Sequence, residues 1–322
     1  MELKYLFLWA VIPIFMVACG GSSSHSPSLL SASASSSTNS VLSSNSSLSG
    51  SVVSFVSSSA VSSFPMTTNS ACAGENIFCD DFDGEALDAV KWKRGDFKLA
   101  GNTLLPDNIN VESYSDNGTH IGVAKITIFG DLHVSAKRRS GLLITKNLYG
   151  GGRYEVRMKP LPGPYGASTI ANYYDSNDEE PHPSSRQYTA IQFMMPAHIE
   201  SAQDLPEWTN WKQKINLDRR NNASDGIYTI TNSPSVNPFD GNFHVFRWDW
   251  YDGINGSLQI AWYIDDIHLL TVQTSIPHHS APLWVGIWAP SGAAGTLYDW
   301  PGFDYNFDTL YLYVDWIRIS SI

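Results

Sequence analysis

Cysteine is scarce in this chain, with three residues in 322. Basic residues are few as well: 20 Lys and Arg stand against 31 Asp and Glu, for a formal charge of −11 and a pI of about 5.1. Nucleic acid and anionic membrane surfaces select clustered positive charge, so a balance this acidic argues against both as partners. An uncharged polymer is indifferent to the sign. A long apolar run is also missing. Leu6 to Val17 is interrupted by Pro13 and is too short for a permanent transmembrane helix. Helical periodicity is absent too, since no stretch holds it over three turns.

What is present divides the chain into three parts. Lys4 and the apolar run form a signal-like start that ends in Met16-Val17-Ala18-Cys19. A small residue before a Cys at this point resembles a lipobox, which predicts cleavage and acylation at Cys19, an ordinary signal peptide with a chance Cys being the alternative. Several acyl chains on one residue anchor a protein stably, each buried methylene contributing about 0.8 kcal/mol. Gly20, not Asp, follows the Cys, which by the lipoprotein sorting rule predicts the outer membrane, at its periplasmic face or at the cell surface. Residues 20–70 are low in complexity. Between Ser22 and Ser63 more than half the residues are Ser, with almost no charge. Such a segment buries too little apolar surface to offset its ordering entropy and reads as a flexible tether. The third part, 71–322, is the folded head.

Cys72 and Cys79 open the head. In an exported protein the pair predicts a disulfide, two buried free thiols being the alternative. No His or further Cys lies near enough to suggest a metal.

The head reads as strands. Arg153-Tyr154-Glu155-Val156-Arg157-Met158-Lys159 alternates strictly between apolar and charged residues. Leu258 to Ile264, Phe243 to Trp250 and Leu310 to Ile319 are similar. Turn signals separate them, among them Gly150-Gly151-Gly152, Asp252-Gly253, Asn255-Gly256 and Pro301-Gly302. Many strands joined by Gly and Pro turns predict an all-β sandwich or jelly roll of curved antiparallel sheets. The 11 Trp and 15 Tyr suit stacking on sugar rings, although a sandwich core consumes most such residues. No internal repeat and no second folded domain are evident, and a monomer is expected.

Several segments, taken in order, resemble glycoside hydrolase family 16, most of all its bacterial lichenase-type β-glucanases. They are Asp80-Asp81-Phe82-Asp83-Gly84 with Trp92, Ser140 to Lys146, and Gly152 to Lys159. Phe243 to Trp250 with Ile260 to Asp266, Ile287-Trp288, Asp299-Trp300-Pro301-Gly302 and Val314-Asp315-Trp316-Ile317-Arg318 complete the set. The resemblance covers roughly residues 78 to 320. It implies a concanavalin A-like jelly roll whose concave cleft binds a β-glucan or related polysaccharide. By the same resemblance Glu155, Arg157, Trp288, Trp300 and Tyr174 contact sugar, with Tyr173, Trp208 and Trp211 as further stacking candidates. No cofactor is required. A structural calcium ion on the convex side is implied, with Asp315 as a ligand.

The family carries Glu-x-Asp-x-Glu on one strand, so that alternate residues place three carboxyl groups on one face. Retaining hydrolysis needs the outer two about 5–5.5 Å apart. Here the matching segment is Gln187-Tyr188-Thr189-Ala190-Ile191-Gln192-Phe193-Met194, and the three positions hold Tyr188, Ala190 and Gln192. No Asp or Glu occurs from Ser184 to Ile199. An amide neither attacks an anomeric carbon nor donates a proton as an acid does. The expectation is a polysaccharide-binding lipoprotein that does not hydrolyse its ligand. The alternative is a diverged hydrolase with relocated acids, drawn from Asp175, Asp178, Glu179 and Glu180.

Overall fold

The computed structural model describes residues 71–99, 102–163, 165–178, 186–195, 214–222, 228–232, 235–253, 256–289 and 304–322. All lie in the compact unit Pro65–Ile322. Cys19, Glu179, Glu180, Trp208, Trp211 and Trp300 fall outside the described residues.

In chain order the strands are β1 (Phe78–Asp80), β2 (Trp92–Arg94), β3 (Phe97–Leu99), β4 (Asn102–Leu104), β5 (Ile109–Asp116) and β6 (Thr119–Phe129). Then follow β7 (Arg139–Ser140), β8 (Leu142–Thr145), β9 (Gly152–Lys159), β10 (Ala167–Asp175), β11 (Tyr188–Met195) and β12 (Lys214–Arg220). The last are β13 (Tyr228–Asn232), β14 (His244–Asp252), β15 (Leu258–Ile264), β16 (Ile267–Val272), β17 (Leu283–Trp288) and β18 (Thr309–Ser320). Helix among the described residues is confined to two single 3-10 turns, Pro106–Asn108 and Ser176–Asp178.

The strands form two large antiparallel sheets. An eight-stranded sheet runs β16-β15-β14-β9-β18-β6-β5, with β1 also paired to β18. A seven-stranded sheet runs β13-β12-β11-β10-β17-β8-β2. A small third sheet, β3-β4-β7, accompanies them. This is the expected jelly-roll sandwich. The tight β5–β6 hairpin turns on Asn117-Gly118, both at positive φ, the conformation that matches the twist of paired strands.

Alternation along the strands fills one shared core. Tyr154, Val156 and Met158 of β9 meet Ile191, Phe193 and Met195 of β11 in a single apolar cluster. Tyr154 stacks on Trp248 with ring centroids 5.0 Å apart, and Phe193 meets Phe246 at 5.7 Å. Each fully buried aromatic of this kind contributes about 1.5–3 kcal/mol of hydrophobic stabilisation. Buried indoles need acceptors: Trp248 Nε1 donates to Asn172 Oδ1 at 3.0 Å and Trp250 Nε1 to the Pro277 carbonyl at 3.1 Å. Cys72 and Cys79 form a disulfide at the domain edge, with Cα atoms 5.5 Å apart.

Two expected placements are corrected. Glu155 and Arg157 do not share a sheet with Trp288, because β9 pairs with β14 and β18 in the eight-stranded sheet. They point away from the core there and are held by ion pairs: Arg318 Nε donates to Glu155 at 2.8 Å, and Arg157 binds Asp116 at 2.8 Å and Asp315. Tyr174 has the parity of Ile170 and Asn172, the core-facing side of β10, so Tyr173 is the tyrosine on the outer face.

Candidate functional site

The outer face of the seven-stranded sheet collects Tyr188, Ala190 and Gln192, the residues that the sequence resemblance matches to the family's carboxyl groups. Ile191, Phe193 and Met195 enter the core, so alternation turns Tyr188, Ala190 and Gln192 outward on β11. Register then sets their neighbours. Gln192 pairs with Ala171 of β10 and Asp218 of β12, and Ala171 pairs in turn with Trp284 of β17. Ala190 lies between Tyr173 and Arg220, and Tyr188 lies opposite Asp175. Trp288 shares this face with Trp284 and sits farther along β17, opposite Ala167.

Aromatic rings cross the face. Tyr173 meets Trp284 at 5.0 Å and Tyr188 at 5.9 Å, both edge-on. On its other side Trp284 meets Phe97 at 6.1 Å and joins a small cluster with Leu104, Leu142 and Ile144. The third sheet thereby covers one flank. Tyr173, Gln192, Trp284 and Trp288 stay partly accessible.

Polar groups border the rings in two pairs. Arg186 Nε donates to Asp175 Oδ1 at 2.9 Å, a second N–H of the same guanidinium reaches the other oxygen, and the guanidinium lies 5.4 Å from the Tyr188 ring centre. Arg220 grips Asp218 in the same two-point way, at 3.1 and 2.8 Å. Burial pushes the Tyr188 hydroxyl up to about 12, with Asp218 and Asp175 adding to the rise and the two arginines opposing it. That phenol is a neutral donor near neutral pH.

Asp218 and Arg220 were not foreseen, since a chain with unknown strand pairing gives no sign that β12 lies beside β11. Trp284 was legible only as one side of the alternation in Leu283–Trp288.

Among the described residues, Asp175 lies opposite Tyr188 and Asp218 opposite Gln192. They lie two strands apart and four residues out of step. At about 4.8 Å per strand and about 3.3 Å per residue their Cα atoms are roughly 16 Å apart. Each is also clamped by an arginine.

The calcium expectation meets a poor donor set. Burial raises the Asp315 carboxyl, the Arg157 hydrogen bond and charge oppose that rise, and the carboxylate already accepts from Arg157. No group of three or more His, Cys, Asp or Glu able to hold a metal occurs among the described residues. A hard dication wants several oxygen ligands, and here a cationic side chain takes the carboxylate instead.

No family model matches the chain. Among curated proteins it is 24% identical over 254 residues to a β-glucanase of Paenibacillus polymyxa, covering 78% of this chain and 90% of that protein. It is 22% identical over 249 residues to a β-glucanase of Brevibacillus brevis, covering 76% and 82%. Among solved structures, a Bacillus licheniformis β-glucanase superposes with a TM-score of 0.54 at 18% identity, over 78% of this chain and all of that one. A glycoside hydrolase family 16 endo-glucanase from Bacteroides ovatus superposes with a TM-score of 0.56 at 16% identity, over 76% and 99%. The chain has the fold of the glycoside hydrolase family 16 β-glucanases.

Proposed function

We propose that the head binds a polysaccharide, a β-glucan or a related polymer, on the outer face of the seven-stranded sheet and does not hydrolyse it. One observation carries this reading. Tyr188, Ala190 and Gln192, which the sequence resemblance matches to the hydrolase's carboxyl groups, turn outward together on β11, on the face that carries the rings of Tyr173 and Trp284. Partly accessible aromatics on a sheet offer apolar faces to sugar rings. Amide, phenol and guanidinium groups supply hydroxyl-directed hydrogen bonds. The curated relatives are β-glucanases, which favours a glucan-like chain as the ligand.

In the same reading the protein is a lipoprotein, acylated at Cys19 after signal cleavage, with residues 20–70 as the tether that lets the head reach its polymer. The sequence Met16-Val17-Ala18-Cys19 and the Ser-rich segment support this part.

Affinity electrophoresis of the full chain through gels containing lichenan, laminarin, agarose or carrageenan tests the binding, alongside a reducing-sugar assay on the same polymers. Retarded migration without product release is the expected result. Migration unchanged in every gel would overturn the sugar-binding reading, and product release would move the protein to the hydrolases.

A further inference from the structure

The ligand of this face has a charge preference written into its two ion pairs. We propose that the polysaccharide is acidic, its carboxylate or sulfate groups being received by Arg186 and Arg220. This rests on the sugar-binding reading above and narrows it to a ligand class.

The two members of each pair differ in their exposure to solvent. The Asp175 side chain is 1% exposed and the Arg186 side chain 41%. The Asp218 side chain is 4% exposed and the Arg220 side chain 18%. In both, the carboxylate is sunk at the sheet surface and the guanidinium lies over it. The pairs are neutral in sum, yet what they present outward is cationic. Buried carboxylates that grip a guanidinium at two points also fix its plane, so it is already oriented when a ligand arrives. The grip of Asp175 takes two of the five N–H donors of Arg186.

Position strengthens the case. Arg220 is the direct cross-strand neighbour of Ala190. Arg186 lies over Tyr188, the next outward residue on β11. Electrostatic influence from both arginines reaches the Tyr188 hydroxyl. The protonated phenol adds a neutral donor that an anionic oxygen accepts from. Both cations therefore border the outward residues Tyr188 and Ala190 of β11, in a chain whose formal charge is −11. A neutral glucan gains little from this arrangement, because guanidinium bonds to hydroxyls are weaker than those to anions. An anionic polymer gains charge-assisted bonds and is steered past an otherwise repelling surface.

The test compares three polymers on the full chain: polygalacturonate for carboxylate, carrageenan for sulfate, and lichenan as the neutral control. The expected result is tighter binding of at least one acidic polymer than of lichenan, by about tenfold at low salt, shrinking as salt screens the contact. The difference between the two acidic polymers identifies the charged group. Arg186→Gln should lower acidic-polymer affinity about tenfold more than lichenan affinity, and Arg186→Lys should restore part of it. Melting curves of both variants control for folding. Lichenan bound as tightly as both acidic polymers, with no selective effect of Arg186→Gln, overturns the acidic-ligand inference and leaves the sugar-binding reading standing. No binding to any of the three overturns both.

Discussion

Gln192 of β11 lies directly opposite Asp218 of β12, on the outer face of the seven-stranded sheet. A carboxyl group thus stands one strand away from β11. There it is already bound to Arg220. Both of its oxygens lie within hydrogen-bond reach of that guanidinium.

The first expectation concerns turnover. The chain should release no reducing ends from lichenan, laminarin, agarose or carrageenan. Loss of one essential catalytic group already lowers rate by orders of magnitude, and by the sequence resemblance the three carboxylate positions hold Tyr188, Ala190 and Gln192. A sensitive reducing-end assay, with Gln192→Glu and Ala190→Asp variants alongside, decides it. Wild-type turnover that vanishes in Glu179→Gln or Glu180→Gln would show relocated acids and sink the binding-only reading.

Aromatic truncation should separate the two faces of the sandwich. Trp288→Ala or Tyr173→Ala is expected to weaken polysaccharide binding by about 1–3 kcal/mol, the scale of an aromatic contact. Glu155→Ala, on the other sheet and paired to Arg318, should leave binding unchanged and lower only the melting temperature. Calorimetric titration with a soluble oligosaccharide distinguishes these outcomes. Equal loss in all three variants would contradict the assignment of the face.

His244 sets a pH dependence of stability. Its Nδ1 lies 2.7 Å from Asp265 and its Nε2 3.0 Å from Asp240, and only the imidazolium donates to both. Burial alone lowers its pKa, but the two carboxylates more than offset this and the net shift is upward. A folded-state value raised above the unfolded one contributes stability that is fully present below about 6.5 and is lost as pH rises through the folded value. The partner Asp240, at about 2 in the fold, contributes stability present above about 3.9 and lost as pH falls toward 2. Thermal melts across mildly acidic to alkaline pH should show stability declining on the alkaline side by on the order of 1 kcal/mol. His244→Gln should remove that decline, and a decline that persists in the variant would place its origin elsewhere.

The disulfide predicts sensitivity to reduction. It closes a short loop onto β1, so Cys72→Ser with Cys79→Ser is expected to lower stability by about 2 kcal/mol in denaturant unfolding. An unchanged midpoint would mean that β1 is held by its pairing with β18 alone.

Lipidation is tested by fractionation. Cys19→Ser should move the protein from the membrane to the soluble fraction. Retention in the membrane would refute Cys19 as the anchor.

The sequence by itself determined the β architecture and the sidedness of its strands. A period of two is local, so Tyr154, Val156 and Met158 were legible as one face of β9 before any pairing was known. The same rule put Tyr188, Ala190 and Gln192 together on β11, and the compartment and pairing of cysteines pointed to Cys72–Cys79. Only the tertiary structure decided which sheet each strand joined. Glu155 and Arg157 were legible as a polar face, yet that face belongs to the eight-stranded sheet, because β9 finds its hydrogen-bonding partners in β14 and β18. Likewise, no local pattern brings Asp218 and Arg220 beside Gln192 and Ala190. Cross-strand neighbours are chosen by non-local register, fixed when both apolar faces close on the same core.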